Sequence, residues 1–210
     1  MLLFEISDKF VKIVDFSPTF LGGQAINSYK KENIKEGLVS ARDIADPKAL
    51  AEEVRKFLEK NFKVKDKQEC AFILHDERAF TLRLTVPQSK GGRSDSDLIN
   101  EKVRLFIPQP PSAQVSAHKR IGGDKNNEVQ FVAVDKEFFA KYLDFFGSLN
   151  LKPVLAVSES YAFYTVFAPQ IKEGETVLYL NVEEDVADAV ILDKFGVLQT
   201  FTEPIGASMI

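Results

Sequence analysis

Residues 2–16, LLFEISDKFVKIVDF, read as a β-strand, a tight turn and a second strand, with a glutamate where the first strand should stay apolar. A charge buried without a partner costs several kcal/mol, roughly 2 to 7 even for a neutral polar group. Such a residue therefore marks a strand end that faces a cleft, a ligand or an opposite charge. Which of these Glu5 faces decides what kind of sheet the chain begins.

The 210 residues, 45% hydrophobic and 28% charged, suit one large domain or two small ones. A formal charge of −4 and a pI of 5.4 give no general attraction to nucleic acid or to an anionic membrane surface. Cys70, the only cysteine, lies in the apolar run CAFIL and has no intrachain disulfide partner, which fits a reducing cytoplasm. The N-terminus has no basic segment followed by an apolar stretch, and no run approaches the roughly 20 apolar residues of a spanning helix. A membrane role is therefore expected only through a partner.

After residues 2–7 and 10–17, Gly22-Gly23 sets a second turn before the strand QAINSYK, completing a three-strand meander. Asp46 and Pro47 then supply the N-cap and first position of a helix whose Leu50, Val54, Phe57 and Leu58 share one face. CAFILHDERAFTLRLTVP, residues 70–87, returns to strands around an HDER turn. The polar loop SKGGRSDSD follows and sets a boundary near residue 87, with an N-cap expected from Ser94, Asp95 or Ser96. Beyond it come a short helix, LINEKVRLFIP, two strands, AQVSAHKRI and NEVQFVAV, joined by GGDKNN, and a helix from Lys136 to Leu149. The last carries a stripe of Phe138, Phe139, Tyr142, Phe145, Phe146 and Leu149, read as core. These elements form an αββα module, after which KPVLAV and SESYAFYTVFA rejoin the first domain.

From Glu175 the opening pattern recurs as VLYLNV, VADAVILD and VLQTFTE, with Asn181 in the place of Glu5. A duplicated βββ opening predicts two related domains whose first turns line one cleft. The second copy stops at Ile210 before a helix can cover its sheet, so the chain is expected to be the front part of a longer protein.

A polar residue ending strand one of each βββ half, with a small module inserted into the first half, resembles the actin-like ATPase superfamily. Within it the chain resembles the FtsA/PilM branch, and the PilM-type proteins of type IV pilus assembly most. The resemblance is carried by FEISDKFVKIVDF, EGLVSARDIADPKALAEEVRKFLEK, FILHDERAFTLRLTVP, the helix ending in FIPQP, VDKEFFAKYLDFFGSLNLKPVLAVSESYAF and FTEPIG. It implies an α/β fold: an actin-like, ribonuclease H-like domain with an inserted α+β module of SHS2-like kind, then the start of a second actin-like domain. The expected spans are 1–87 for the first subdomain, 88–150 for the module, 151–172 for the return, and 173–210 for the incomplete second domain.

Actin-like folds carry phosphate turns of the form D-x-G-x-x-x-x-K, where aspartate organises the metal's hydration, glycine admits backbone N–H groups to the phosphates, and lysine neutralises them. Glu5, Ser7 and Lys12 stand at those spacings here, so acid and lysine persist in kind while the glycine does not. The second turn is Asn181-Val182-Glu183, followed by Glu184 and Asp185. At about 5 Å and an effective dielectric of 20 to 80, each carboxylate repels each phosphate charge by roughly 1 to 3 kcal/mol. The resemblance implies ATP with Mg²⁺; the residues themselves read as degenerate phosphate turns, with an ion pair or solvated strand ends as the competing reading for Glu5 and Lys12.

Other polar groups read more plainly. The run 183–185 is a solvated turn rather than a metal site, and His75 and His118 are surface strand histidines without zinc-ligand spacing. Ser158-Glu159-Ser160 lacks the glycines of a nucleophile elbow. No catalytic residue and no metal ligand is assigned. The resemblance implies a cytoplasmic scaffold at the inner face of the cell membrane that binds the cytoplasmic tail of a PilN-like membrane protein, with contacts among residues 79–86 and 98–107 or on the strands beside them. An ATP-binding nucleotide switch and an FtsA-like cell-division adaptor are the alternatives.

Overall fold

The computed structural model describes residues 1–19, 23–87, 94–122, 127–183 and 186–207. The expected turn at Gly22, most of the SKGGRSDSD loop, all but the ends of GGDKNN, and Glu184 with Asp185 lie outside them. The chain divides into two compact units, Met1–Leu74 with Glu137–Val157, and His75–Lys136 with Ser158–Ile210.

The first unit is built on β1 (Leu2–Ile6), β2 (Phe10–Pro18), β3 (Gln24–Asn33), the two-residue strands β4 (Val39–Ser40) and β5 (Asp43–Ile44), α1 (Pro47–Asn61) and β6 (Glu69–Leu74). β1 runs antiparallel to β2 and parallel to β6, placing it at the centre of a five-stranded sheet with β3 at one edge. Alternation along β1 sends Leu2, Phe4 and Ile6 into the core while Leu3 and Glu5 face the other way. Asp46 caps α1 as expected, its carboxylate accepting from the backbone N–H of Lys48 and Ala49 at 3.0 Å.

The Phe stripe is core, but of a different body from the one the sequence pattern suggested. β7 (Ala79–Thr85), α2 (Asp95–Val103), β8 (Gln114–Ile121) and β9 (Glu128–Asp135) come before α3 (Lys136–Ser148) and β10 (Lys152–Ser158). From Glu137 on, α3 belongs to the first unit. There Tyr142 stacks on Phe72 with centroids 5.2 Å apart, and Phe146 meets Phe4 edge-on at 5.1 Å. The αββα module ending near residue 150 is therefore corrected. Periodicity reveals that a helix has an apolar face, not which sheet that face will meet.

β7, expected within the first subdomain, instead pairs antiparallel with β9 in a sheet of order β7-β9-β8. One face of this sheet is covered by α2, where Ile99 and Val103, with Ile107 beyond, pack among Leu84, Val86, Val129, Phe131 and Ala133. Ser94 caps α2 in a capping box with Asp97, bearing out the first of the three expected caps.

The same unit holds α4 (Glu159–Phe167) and the sheet of β11 (Thr176–Val182), β12 (Ala187–Asp193) and β13 (Gly196–Glu203). One face of that sheet is covered after all, by the helix assigned above to the first domain: Phe163 and Phe167 of α4 lie 4.3 and 4.9 Å from the Tyr179 ring. Leu178, Leu180, Val182 and Phe201 are exposed.

Gln130 ties the two sheets of the second unit together. Its Oε1 accepts from the backbone N–H of Val197 at 2.9 Å and its Nε2 donates to the Leu82 carbonyl at 3.1 Å. A Cβ on Gly196 would collide with Oε1, and the side chain, held at both ends, has no cheap way to yield. Replacing Gln130 by Leu strands one donor and one acceptor, so Gln130→Leu is expected to destabilise the chain by about 2 to 3 kcal/mol, and Gly196→Ala to act in the same direction. Chemical denaturation followed by circular dichroism suits a chain without tryptophan; a Gln130→Leu change within about 0.5 kcal/mol of wild type would contradict this role.

Candidate functional site

The charge in the first strand has a partner on the next. Antiparallel register sets Glu5 opposite Lys12, and Lys12 Nζ donates to Glu5 Oε1 at 2.6 Å. Lys12 Nζ also stands 4.8 Å from the Phe10 ring centroid, and Lys31 Nζ of β3 stands 3.8 Å from it. Ser7 is buried, and the turn closes on itself through the Ser7 N–H to the Phe10 carbonyl at 2.9 Å and the Phe10 N–H to Ser7 Oγ at 3.2 Å. Asp8, at the tip, accepts from the backbone N–H groups of Ala41 and Arg42 at 2.8 and 2.7 Å. Those two residues adopt φ of +50° and +60°, a pair of left-handed conformations that aims successive N–H groups at one carboxylate.

This geometry does not fit a triphosphate. Ser7 places a side chain where a phosphate turn needs glycine, and the turn's own acceptors already hold the N–H groups of Ser7 and Phe10. The lysine that would neutralise phosphate neutralises Glu5.

Asn181 and Glu183 lie in the other unit. The Glu183 N–H donates to Val186 O, and its carbonyl accepts from the Ala207 N–H, both at 2.8 Å, so this turn too is closed on its own backbone. Asn181 Nδ2 donates to Glu159 Oε1 at 3.4 Å. That contact leads into a polar cluster that sequence reasoning missed. Glu159 opens α4 and is buried, with Oε2 3.0 Å from Nδ1 of His75. His75 is buried, not a surface histidine. Beside it, Asp76 accepts from the backbone N–H and hydroxyl of Ser160 at 2.9 and 2.8 Å. Asp188, registered against Asn181, accepts from Thr202 Oγ1 at 2.7 Å.

Three carboxyl groups thus lie close enough to feel one another's charge, beside a single imidazole. Burial pushes the Asp76 carboxyl up to about 7, the neighbouring Glu159 and Asp188 charges add to the rise, and the Ser160 hydrogen bonds oppose it. Burial likewise raises Asp188, with Glu159 and Glu183 adding and Thr202 and His75 opposing. Carboxylates in this cluster carry the same sign of charge as a phosphate and do not attract one. Its sequence signal was the polar triplet 158–160 at a strand-to-helix junction, set against a histidine and aspartate ending an apolar strand. Among the described residues no group of three or more His, Cys, Asp or Glu is arranged to hold a metal ion.

The segments expected to contact a tail, 79–86 and 98–107, share one unit and one core. Leu84, Val86, Ile99, Val103 and Ile107 are internal. Phe80, Leu105 and Phe106 are exposed, Leu105 to 74% and Phe106 to 59%.

No family model and no curated protein sequence matches the chain. Solved structures do. The chain superimposes on a protein of a PilM–PilN type IV pilus biogenesis complex with a TM-score of 0.80 over 99% of its length, at 18% identity, and spans 62% of that protein. It matches the cytoplasmic domain of EpsL, an inner-membrane component of the type II secretion system of Vibrio cholerae, with a TM-score of 0.59 over 97%, at 12% identity and 70% of that chain. A Bacteroides thetaiotaomicron protein of actin-like ATPase fold and unknown function matches with a TM-score of 0.53 over 99%, at 11% identity and 70% of that chain. The fold is actin-like.

The raised Asp76 carboxyl sets a sign for the pH dependence of stability. A group that binds its proton more tightly folded than unfolded favours folding most at low pH, and the benefit is lost between the unfolded value near 3.8 and the folded value of about 7. The urea midpoint should therefore fall as pH rises from 5 to 7, with a slope from this one group of at most about 1.4 kcal/mol per pH unit. Asp76→Asn should flatten the profile. A wild-type midpoint rising over that range, or an unchanged profile in the variant, would contradict the assignment.

Proposed function

We propose that a chain with this actin-like fold serves as a cytoplasmic scaffold of a type IV pilus or related secretion assembly, holding the cytoplasmic tail of a PilN-like inner-membrane protein without hydrolysing nucleotide. The observation that carries the reading is the match to the PilM–PilN complex over 99% of the chain. The first turn supports the second half of the reading: Ser7, Asp8, Phe10 and Lys12 make contacts inside the chain that a nucleotide site would need for phosphate. Among the described residues no helix is long and apolar enough to cross a membrane. The exposed Phe80, Leu105 and Phe106 are the side chains of the expected contact segments open to a tail.

Fluorescence anisotropy with the N-terminal cytoplasmic segment of a single-pass pilus protein encoded nearby tests the first half. Saturable binding in the roughly micromolar range is expected, since ordering a short segment limits affinity. Its absence would sink the scaffold reading. Isothermal titration with ATP and Mg²⁺ tests the second half: weak or no binding is expected, and a dissociation constant in the low micromolar range would restore the nucleotide switch. Tail affinity should not change when ATP is added.

A further inference from the structure

We infer that the open edge of β8 is a second docking site, which takes an extended, acidic segment of a partner protein as an added strand. This goes beyond the capture of a membrane-protein tail. β8 pairs with β9 along one side, and among the described residues no strand pairs along the other. Val115, Ser116, Ala117, His118 and Lys119 are all exposed, so the strand presents its outer row of backbone groups to any chain that can lie alongside.

Charge selects the occupant. The stretch from Lys102 to Ile121 has two lysines, two arginines and a histidine and no carboxylate, in a chain with 31 acidic residues and a net charge of −4. Arg120 is engaged by Asp95 and by the carbonyls of Val86 and Pro87. Lys102, Arg104 and Lys119 are exposed on the same acid-free stretch. Two copies of this edge would meet basic strand against basic strand, which disfavours self-pairing; an acidic strand meets no such repulsion.

Val115, 36% exposed, adds an apolar side chain on the strand itself. The Gln114 side chain fixes the approach to β8 by donating to the Gln109 carbonyl at 2.8 Å. An anionic bilayer would satisfy the basic and apolar groups but not the unpaired N–H and C=O groups of a strand edge, and so is the weaker fit.

The test uses the full chain, ¹⁵N-labelled, with a synthetic peptide of alternating glutamate and valine around one phenylalanine. Expected are saturable shifts on Gln114–Ile121 and slowed exchange at alternate β8 amides. The variant Lys119→Glu, on β8 and outside the segments expected to hold the tail, should weaken binding by roughly fivefold, with an unchanged spectrum elsewhere and unchanged affinity for the pilus-protein tail. Four results would overturn the inference: no shifts, shifts confined to other strands, equal binding of the peptide with lysine for glutamate, or binding to phosphatidylglycerol vesicles without binding to the peptide. Acidic-peptide binding at β8 together with no binding of the tail would support this site and count against the scaffold reading alone.

Discussion

The register of β1 against β2 is the constraint on which the first unit rests. With Glu5 opposite Lys12, Leu2, Phe4 and Ile6 all turn toward the aromatic face of α3. A slip of one residue would turn every side chain of β1 to the other face, burying Glu5 and expelling Phe4. Partly exposed, the ion pair itself contributes no more than about 1 kcal/mol. Its weight lies in specificity, since the wrong register would bury a carboxylate among phenylalanines.

The same contacts spend the groups that an actin-like site would offer to phosphate. Lysine goes to Glu5, the turn's N–H groups go to the turn, and Asp8 goes to the left-handed pair Ala41 and Arg42. In the second unit Glu159 meets His75, and burial raises the carboxyls of Asp76 and Asp188.

Local signals were legible in the sequence wherever one residue's own chemistry sufficed. Asp46 and Pro47 announced α1, the run Ser94, Asp95 and Ser96 announced the start of α2, and the spacing of Phe138, Tyr142, Phe145 and Phe146 announced a buried face. Partners remote along the chain were not legible. Whether α3 covers Phe72 or a small sheet of its own depends on the sheet it meets, and both readings satisfy the same periodicity. Likewise β7 reads as a strand in any sheet, and only its pairing with β9 assigns it. His75 lies 84 residues from Glu159, so nothing in the strand around it reveals that a carboxylate will arrive. Of the expected site residues, Glu5 and Lys12 turned out to be each other's partners, the plain reading of an opposite pair on adjacent antiparallel strands.

The central claim is that the first turn is closed by the chain itself and does not open for nucleotide. Hydrogen–deuterium exchange of the backbone amides of Ser7, Phe10, Ala41 and Arg42, with and without ATP and Mg²⁺, measures this directly. Slow exchange at all four without nucleotide, unchanged by its addition, is the predicted result. Fast exchange that becomes protected when ATP is added would contradict it.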